Sequence, residues 1–166
     1  MASYFRSWVE VSREQIARNF RAVKATVGEN VEAMPVVKAD AYRHGAVEIA
    51  HVLVAEGARW LAVSNVEEGA ILRQAGISTR ILVMADFLPI ERPTLVEYNL
   101  TPVIHSLDAI ADYERLARIV GRRLKYHLKI DSGMGRLGTR GDAEAIYNAV
   151  TAAPGVELEG VMSHFA

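Results

Sequence analysis

Val36-Val37-Lys38-Ala39-Asp40-Ala41-Tyr42-Arg43-His44-Gly45 joins an apolar run to a lysine and then to a polar turn closed by glycine. Lysine is a poor residue for a strand interior, but at a strand's carboxyl end its amine can project from a dry wall into a pocket. Such a wall disfavours an ammonium ion and favours the neutral, nucleophilic amine that carbonyl chemistry uses. The competing reading is a lysine that lays its methylenes along apolar surface and keeps its charge in water. Either way, this stretch predicts a buried strand over 31–37, and the segments around it must supply the rest of a sheet.

Working outward, Ser12-Arg13-Glu14-Gln15 forms a capping box. Ile16, Phe20, Val23 and Val27 follow at helical spacing, and Gly28 closes the helix. After the lysine turn the sequence predicts a helix over 46–57 and a strand over 60–63. A helix capped by Asn65 with Glu68 then runs to Gly76, and the run 80–84 reads as a buried strand. The same period recurs with a weaker helix over 89–98 interrupted by Pro93, a strand over 102–104, and a helix that Ser106 caps and Gly121 ends. A strand over 126–131, a helix after Asp142 and a strand over 156–162 complete it. Six short, mostly apolar strands alternating with helices predict a parallel sheet covered on both sides. A barrel and an open doubly wound sheet both satisfy that period.

The 166 residues are 51% hydrophobic and 23% charged, which suits one soluble domain with a core. A net charge of −1, with the cations scattered, offers no field for a polyanion, so neither nucleic acid nor a membrane surface is an expected partner. The absence of cysteine excludes disulfides and thiol catalysis, and the five histidines lack short ligand spacings, so no metal site is expected. Met1-Ala2-Ser3-Tyr4-Phe5-Arg6-Ser7-Trp8 lacks an apolar signal core. No run approaches the roughly 18 apolar residues of a spanning helix, and the expected location is the cytoplasm.

A second informative stretch is His127-Leu128-Lys129-Ile130-Asp131-Ser132-Gly133-Met134-Gly135-Arg136-Leu137-Gly138. Strand alternation puts His127, Lys129 and Asp131 on one face, and three inward polar groups are costly unless paired, so this strand reads as a site candidate. An edge strand with one solvated face is the alternative. Gly133 and Gly135 would let backbone approach a ligand, and Arg136 offers planar donors to an oxygen anion. The same glycines satisfy a dinucleotide fingerprint, but Thr139-Arg140-Gly141-Asp142 prolongs a loop where that motif opens a helix. Asp131-Ser132-Gly133 matches an aspartic-protease triplet, a chemistry built on all-β chains, and Arg140-Gly141-Asp142 reads as a turn and helix cap.

Three segments in order resemble bacterial alanine racemases: the lysine stretch 37–45, the stretch 127–138, and Gly160-Val161-Met162-Ser163-His164-Phe165-Ala166. The matching sequence runs from about Trp8 to Ala166, and it departs from the family at Arg43, where glycine is usual. The resemblance implies a (β/α)₈ barrel of which about six strand–helix units are present. It makes residues 1–166 the N-terminal barrel portion, without the family's C-terminal β domain, and so a fragment expected to be inactive by itself. It implies pyridoxal 5′-phosphate as cofactor, held covalently by Lys38, which also acts as one of two bases on opposite faces of the substrate α-carbon. Tyr42 would help bind the cofactor. Arg136 would contact the cofactor's phenolic oxygen and the substrate carboxylate. His164 would brace an arginine beyond Ala166 that meets the ring nitrogen. Lys129 would carry a carbamate that orients Arg136; an unmodified Lys129 paired with Asp131 is the alternative. The full protein would interconvert L-alanine and D-alanine for peptidoglycan as a homodimer, its second base a tyrosine from the neighbouring subunit. A related racemase or decarboxylase, or a non-catalytic cofactor carrier, are the other readings.

Overall fold

A computed structural model describes residues 7–85 and 87–166. Met1 to Arg6, most of the stretch in which the sequence shows no signal core, lie outside the described residues. Helix α1 (Arg13–Val27) and a short turn of helix, α2 (Lys38–Arg43), precede α3 (Ala46–Ala55). The chain then alternates through β1 (Trp60–Val63), α4 (Val66–Gln74), β2 (Arg80–Val83), α5 (Arg92–Glu97), β3 (Thr101–Ile104), α6 (Leu107–Val120), β4 (Leu124–Lys129), α7 (Ala143–Thr151) and β5 (Val156–Met162).

All five strands are parallel and pair in the order β1-β2-β3-β4-β5. This order decides between the two architectures. A doubly wound sheet reverses direction at a switch point and so carries helices on both faces; right-handed crossovers that never reverse carry them all on one. The packing follows. Leu61, Val63, Ile81, Val83, Ile104, Tyr126 and Leu128 form one core with helix residues such as Phe20, Ile49, Leu72, Leu95 and Ile110. The alternate strand residues Trp60, Ala62, Leu82 and Val103 form a second cluster, joined by Met34, Met84 and Met162 and by no helix residue. The expectation of cover on both sides is therefore corrected: among the described residues helices cover one face, as in a barrel wall.

On that inner face one cluster of charged groups lies away from the carboxyl rim. Glu159 pairs with Arg80 and, at 2.9 Å, with Lys125, and the Arg80 guanidinium stacks over Trp60 at 3.8 Å. Burial works against the Glu159 charge, but the hydrogen bonds from Lys125 and Arg80 outweigh it and hold the carboxyl below its ordinary range. A register shift between β4 and β5 sets Gly160 beside His127 and Met162 beside Lys129. A Cβ at Gly160 would lie 2.8 Å from the His127 ring, so the bulge places glycine where the imidazole needs room.

The predicted strand over 31–37 shrinks to a single bridge between Val36 and Ala62. Val37 N–H donates to the Ala62 carbonyl and Ala62 N–H to the Pro35 carbonyl, each at 2.8 Å. Pro35 has no N–H to extend this ladder, and the chain turns away immediately after Lys38. Pro93 does not interrupt a helix either: a 3₁₀ turn over Pro89–Glu91 leads into α5, and Pro93 sits in its first turn, where no N–H is required. Strand β4 starts and ends two residues earlier than the predicted 126–131 because Asp131 has already entered the following loop.

The turn after Lys38 is wound with the opposite hand. Ala39, Asp40, Ala41 and Tyr42 have φ between 50° and 55° and ψ between 41° and 48°, and Arg43 has φ 69°. Left-handed helical backbone costs L-residues about 1–2 kcal/mol each, so neighbouring groups must hold it. Ala41 N–H donates to the Val37 carbonyl at 2.9 Å and Gly45 N–H to the Asp40 carbonyl at 3.0 Å. The Asp40 carboxylate accepts from Ala46 N–H at 2.7 Å, at the start of α3, and Ala41 is buried. Exposed Arg43 adds strain, and its side chain makes no hydrogen bond or ion pair among the described residues. Arg43→Gly is therefore expected to stabilise the fold by about 0.5–1 kcal/mol in urea unfolding, the relief of positive φ exceeding the extra unfolded-state entropy of glycine.

Candidate active site

The loops that leave the carboxyl ends of the strands meet around one cavity of about 570 Å³. Lys38 and Tyr42 enter it from the left-handed turn, Ser64 follows β1, and Met84 and Ala85 follow β2. Lys129 ends β4, Arg136 and Leu137 come from the next loop, and Met162, Ser163 and His164 close it after β5. The five side chains singled out in the sequence, Lys38, Tyr42, Lys129, Arg136 and His164, thus line a common space. They differ in setting: Lys129 is 5% exposed and Tyr42 56%.

Lys129 organises the loop that carries Arg136. Its amine donates to the carbonyls of Leu137 at 2.8 Å and Arg136 at 3.2 Å. Backbone bonds from Thr139 to Lys129 and from Asp131 to Thr139, both 2.9 Å, fold the loop back on its strand. Gly138, at φ 108°, is needed there because a Cβ would lie 2.9 Å from the Asp131 nitrogen.

Asp131 does not pair with Lys129. Its carboxylate accepts from the amides of Gly135 at 2.9 Å and Gly133 at 3.3 Å, and from Arg140 at 2.7 Å. The Gly135 amide, the Arg140 side chain and the Gly133 amide, in that order, stabilise the ionised form and hold the carboxyl at about 2. His127 lies on the inner face, as alternation expects, but does not line the cavity. It stacks edge-on against Trp60 at 5.3 Å, with Glu159 3.7 Å away, and burial pushes its pKa down against the opposing pull of Glu159. Of the three residues read on one face of this strand, Lys129 reaches the cavity. The other two serve the inner face and the loop.

The weaker motifs resolve structurally. The glycine loop continues through Gly138 into the bridge between Ile130 and Thr139, and α7 opens only at Ala143, so no helix amino terminus follows the glycines as nucleotide binding requires. Arg140 is tied to Asp131, and the Asp142 side chain caps α7 by accepting from Ala145 N–H at 2.8 Å. Sequence reasoning missed Glu68, which does not line this cavity but bonds to backbone beside it. One of its carboxylate oxygens accepts from Ala39 N–H and the other from Ser64 N–H, both at 2.7 Å. The Asn65-to-Glu68 spacing signalled a helix cap, and that cap is present with Glu68 N–H donating to Asn65 at 2.9 Å, but the second reach of Glu68, to Ala39, leaves no local pattern.

The Asp131 cluster makes a pH prediction. A depressed folded pKa contributes stability fully above the unfolded value of 3.8 and loses it as pH falls through about 2. The Gly135 amide resonance should therefore titrate with a midpoint near 2, and Asp131→Asn should abolish that titration and loosen the loop. A midpoint near 3.8 would show that the amide and Arg140 bonds are not made in solution.

Residues 11–166 match the family profile of the alanine racemase N-terminal domain. The alanine racemase of Carboxydothermus hydrogenoformans is 47% identical over 160 residues, 96% of this chain and 43% of that protein. That of Halothermothrix orenii is 39% identical over 161 residues, 96% of this chain and 42% of that protein. Among solved structures, the Bacillus anthracis alanine racemase with bound L-Ala-P superposes with a TM-score of 0.86 at 34% identity, over 99% of this chain and 43% of that one. The chain thus spans about two-fifths of the length of the curated relatives it matches. The fold agrees with the expected (β/α)₈ class, with the sheet not closed by the described residues. By the profile across residues 11–166 and by relatives at these identities, the chain belongs to the alanine racemase N-terminal domain family.

Proposed function

We propose that residues 1–166 are the N-terminal, lysine-bearing barrel portion of a pyridoxal-phosphate-dependent alanine racemase. The complete protein interconverts L-alanine and D-alanine by proton transfer at the α-carbon. The observation that carries this reading is the convergence of Lys38, Tyr42, Lys129, Arg136 and His164 on one cavity at the carboxyl ends of parallel strands, the end of such folds where chemistry is built. In the same reading the full protein is a cytoplasmic homodimer that supplies D-alanine for peptidoglycan.

The donor set suits the cofactor. A primary amine at Lys38 can bind its aldehyde carbon, the Arg136 guanidinium and the Tyr42 phenol offer donors to its oxygens, and the His164 imidazole at the cavity wall would brace the arginine that meets the ring nitrogen. When bound, pyridoxal phosphate supplies the electron sink that lets an amino acid lose its α-proton near neutral pH. Lys38 Nζ moves that proton on one face of the α-carbon. Arg136 orients the substrate carboxylate, and the two bonds from Lys129 fix the loop backbone on which Arg136 sits. A carbamate on Lys129 retains one N–H for a loop carbonyl and adds an anion beside Arg136. Because one amine reaches one face, inversion demands a second base, for which a tyrosine of a neighbouring subunit is proposed.

Borohydride reduction of the cofactor-loaded full-length protein, followed by peptide mapping, should place the pyridoxyl group on Lys38; label at Lys24 or Lys125 instead would sink the assignment. Lys38→Ala should lower D-alanine formation by at least about a thousandfold. The 166-residue chain alone should give no D-alanine above the free-cofactor background. Carbon-13 bicarbonate should give a carbamate resonance that Lys129→Gln removes, and its absence from the intact enzyme would leave Lys129 as the loop-bracing amine seen here.

A further inference from the structure

Glu68 stands outside every motif that marks the site, yet its carboxylate joins two loops that the cavity needs. Its two oxygens accept from Ser64 N–H, at the end of β1, and from Ala39 N–H, the first amide of the left-handed turn, each at 2.7 Å. Its own N–H is held by Asn65 at 2.9 Å, so the carboxylate projects from the first turn of α4, a fixed base. Ala39 is the residue immediately after Lys38, and its φ of 51° is where the backbone changes hand.

A left-handed turn of alanine, aspartate and tyrosine is not held by local preference, since each residue would relax to negative φ. Of the groups that oppose relaxation, Asp40 acts at the far end of the turn, on Ala46. Glu68 acts at the near end, on the peptide unit that links Lys38 to Ala39. Releasing that amide lets this peptide rotate, and because the turn stays anchored to Val37 and to α3, the rotation must be compensated at φ of Lys38, which redirects its Cα–Cβ bond. We propose that Glu68 is a positioning residue: it holds the Lys38–Ala39 peptide so that the lysine amine points into the cavity, and it ties that direction to the end of β1. This rests on Lys38 being the cofactor lysine, and the test separates the two ideas.

The comparison is between the wild-type chain, Glu68→Gln and Glu67→Gln, the last an exposed neighbouring carboxylate. Glutamine keeps the size of the side chain but offers one acceptor to two amides. Two quantities are read: hydrogen exchange at the Ala39 amide without cofactor, and the rate at which pyridoxal phosphate with borohydride labels Lys38. Glu68→Gln should speed Ala39 exchange and slow Lys38 labelling, each by about tenfold, with labelling of Lys24 unchanged and Glu67→Gln without effect. Adding Ala39→Gly, which takes positive φ readily, should restore part of the labelling rate without restoring the lost bond. Should Glu68→Gln not fold, Glu68→Asp, whose shorter stem cannot span both amides, is read the same way. Faster exchange with unchanged Lys38 labelling, or no rescue by Ala39→Gly, would overturn the proposal. Wild-type labelling at another lysine in place of Lys38 would instead overturn the cofactor assignment and with it the premise.

Discussion

The right-handed crossover, repeated without reversal from β1 to β5, delivers the carboxyl end of every strand to one rim and every helix to one face. Everything distinctive about the site follows from that winding. Lys38, Ser64, Met84, Lys129 and Met162 belong to five separate segments, and each stands where its segment leaves the sheet. No long loop has to reach across the molecule to bring them together. The inner face, which no helix covers among the described residues, carries the small apolar strip of Trp60, Ala62, Leu82 and Val103 with charged residues below it.

Much of this was legible in the sequence because local chemistry and final structure agree. Ser12, Asn65, Ser106 and Asp142 each cap the helix their spacing announced, and Gly121 ends α6 in a left-handed conformation. What could not be read depends on groups remote in the chain. Ala39 to Tyr42 look like ordinary helix formers, and their hand is imposed by Glu68 and by the bond from Asp40 to α3. The choice between barrel wall and doubly wound sheet rests on strand order, which periodicity does not encode. The first strand was overread because apolar content does not reveal that Pro35 leaves a gap in the ladder.

The site shows the same division. Alternation along β4 correctly placed Lys129 inward, but it could not tell that His127 would stack on Trp60 or that Asp131 would spend its lone pairs on the glycine loop and Arg140. For Lys129 the resemblance implies a carbamate beside Arg136. The fold shows its amine donating to the carbonyls of Arg136 and Leu137, so that it also braces the loop.

Two contacts on the inner face join strands that are not neighbours: Trp60 of β1 meets His127 of β4, and Arg80 of β2 meets Glu159 of β5. Three strand intervals measured along a flat sheet amount to about 14 Å, farther than ring stacking can bridge. Both contacts are therefore chords across an arc, and they record how tightly the wall is bent. Strand pairing alone, always between sequential neighbours, would leave that bend free to vary. The chords turn it into a fixed radius, so the curvature of the wall is written in side chains of its own concave surface and is inherited by the rim where the cavity opens.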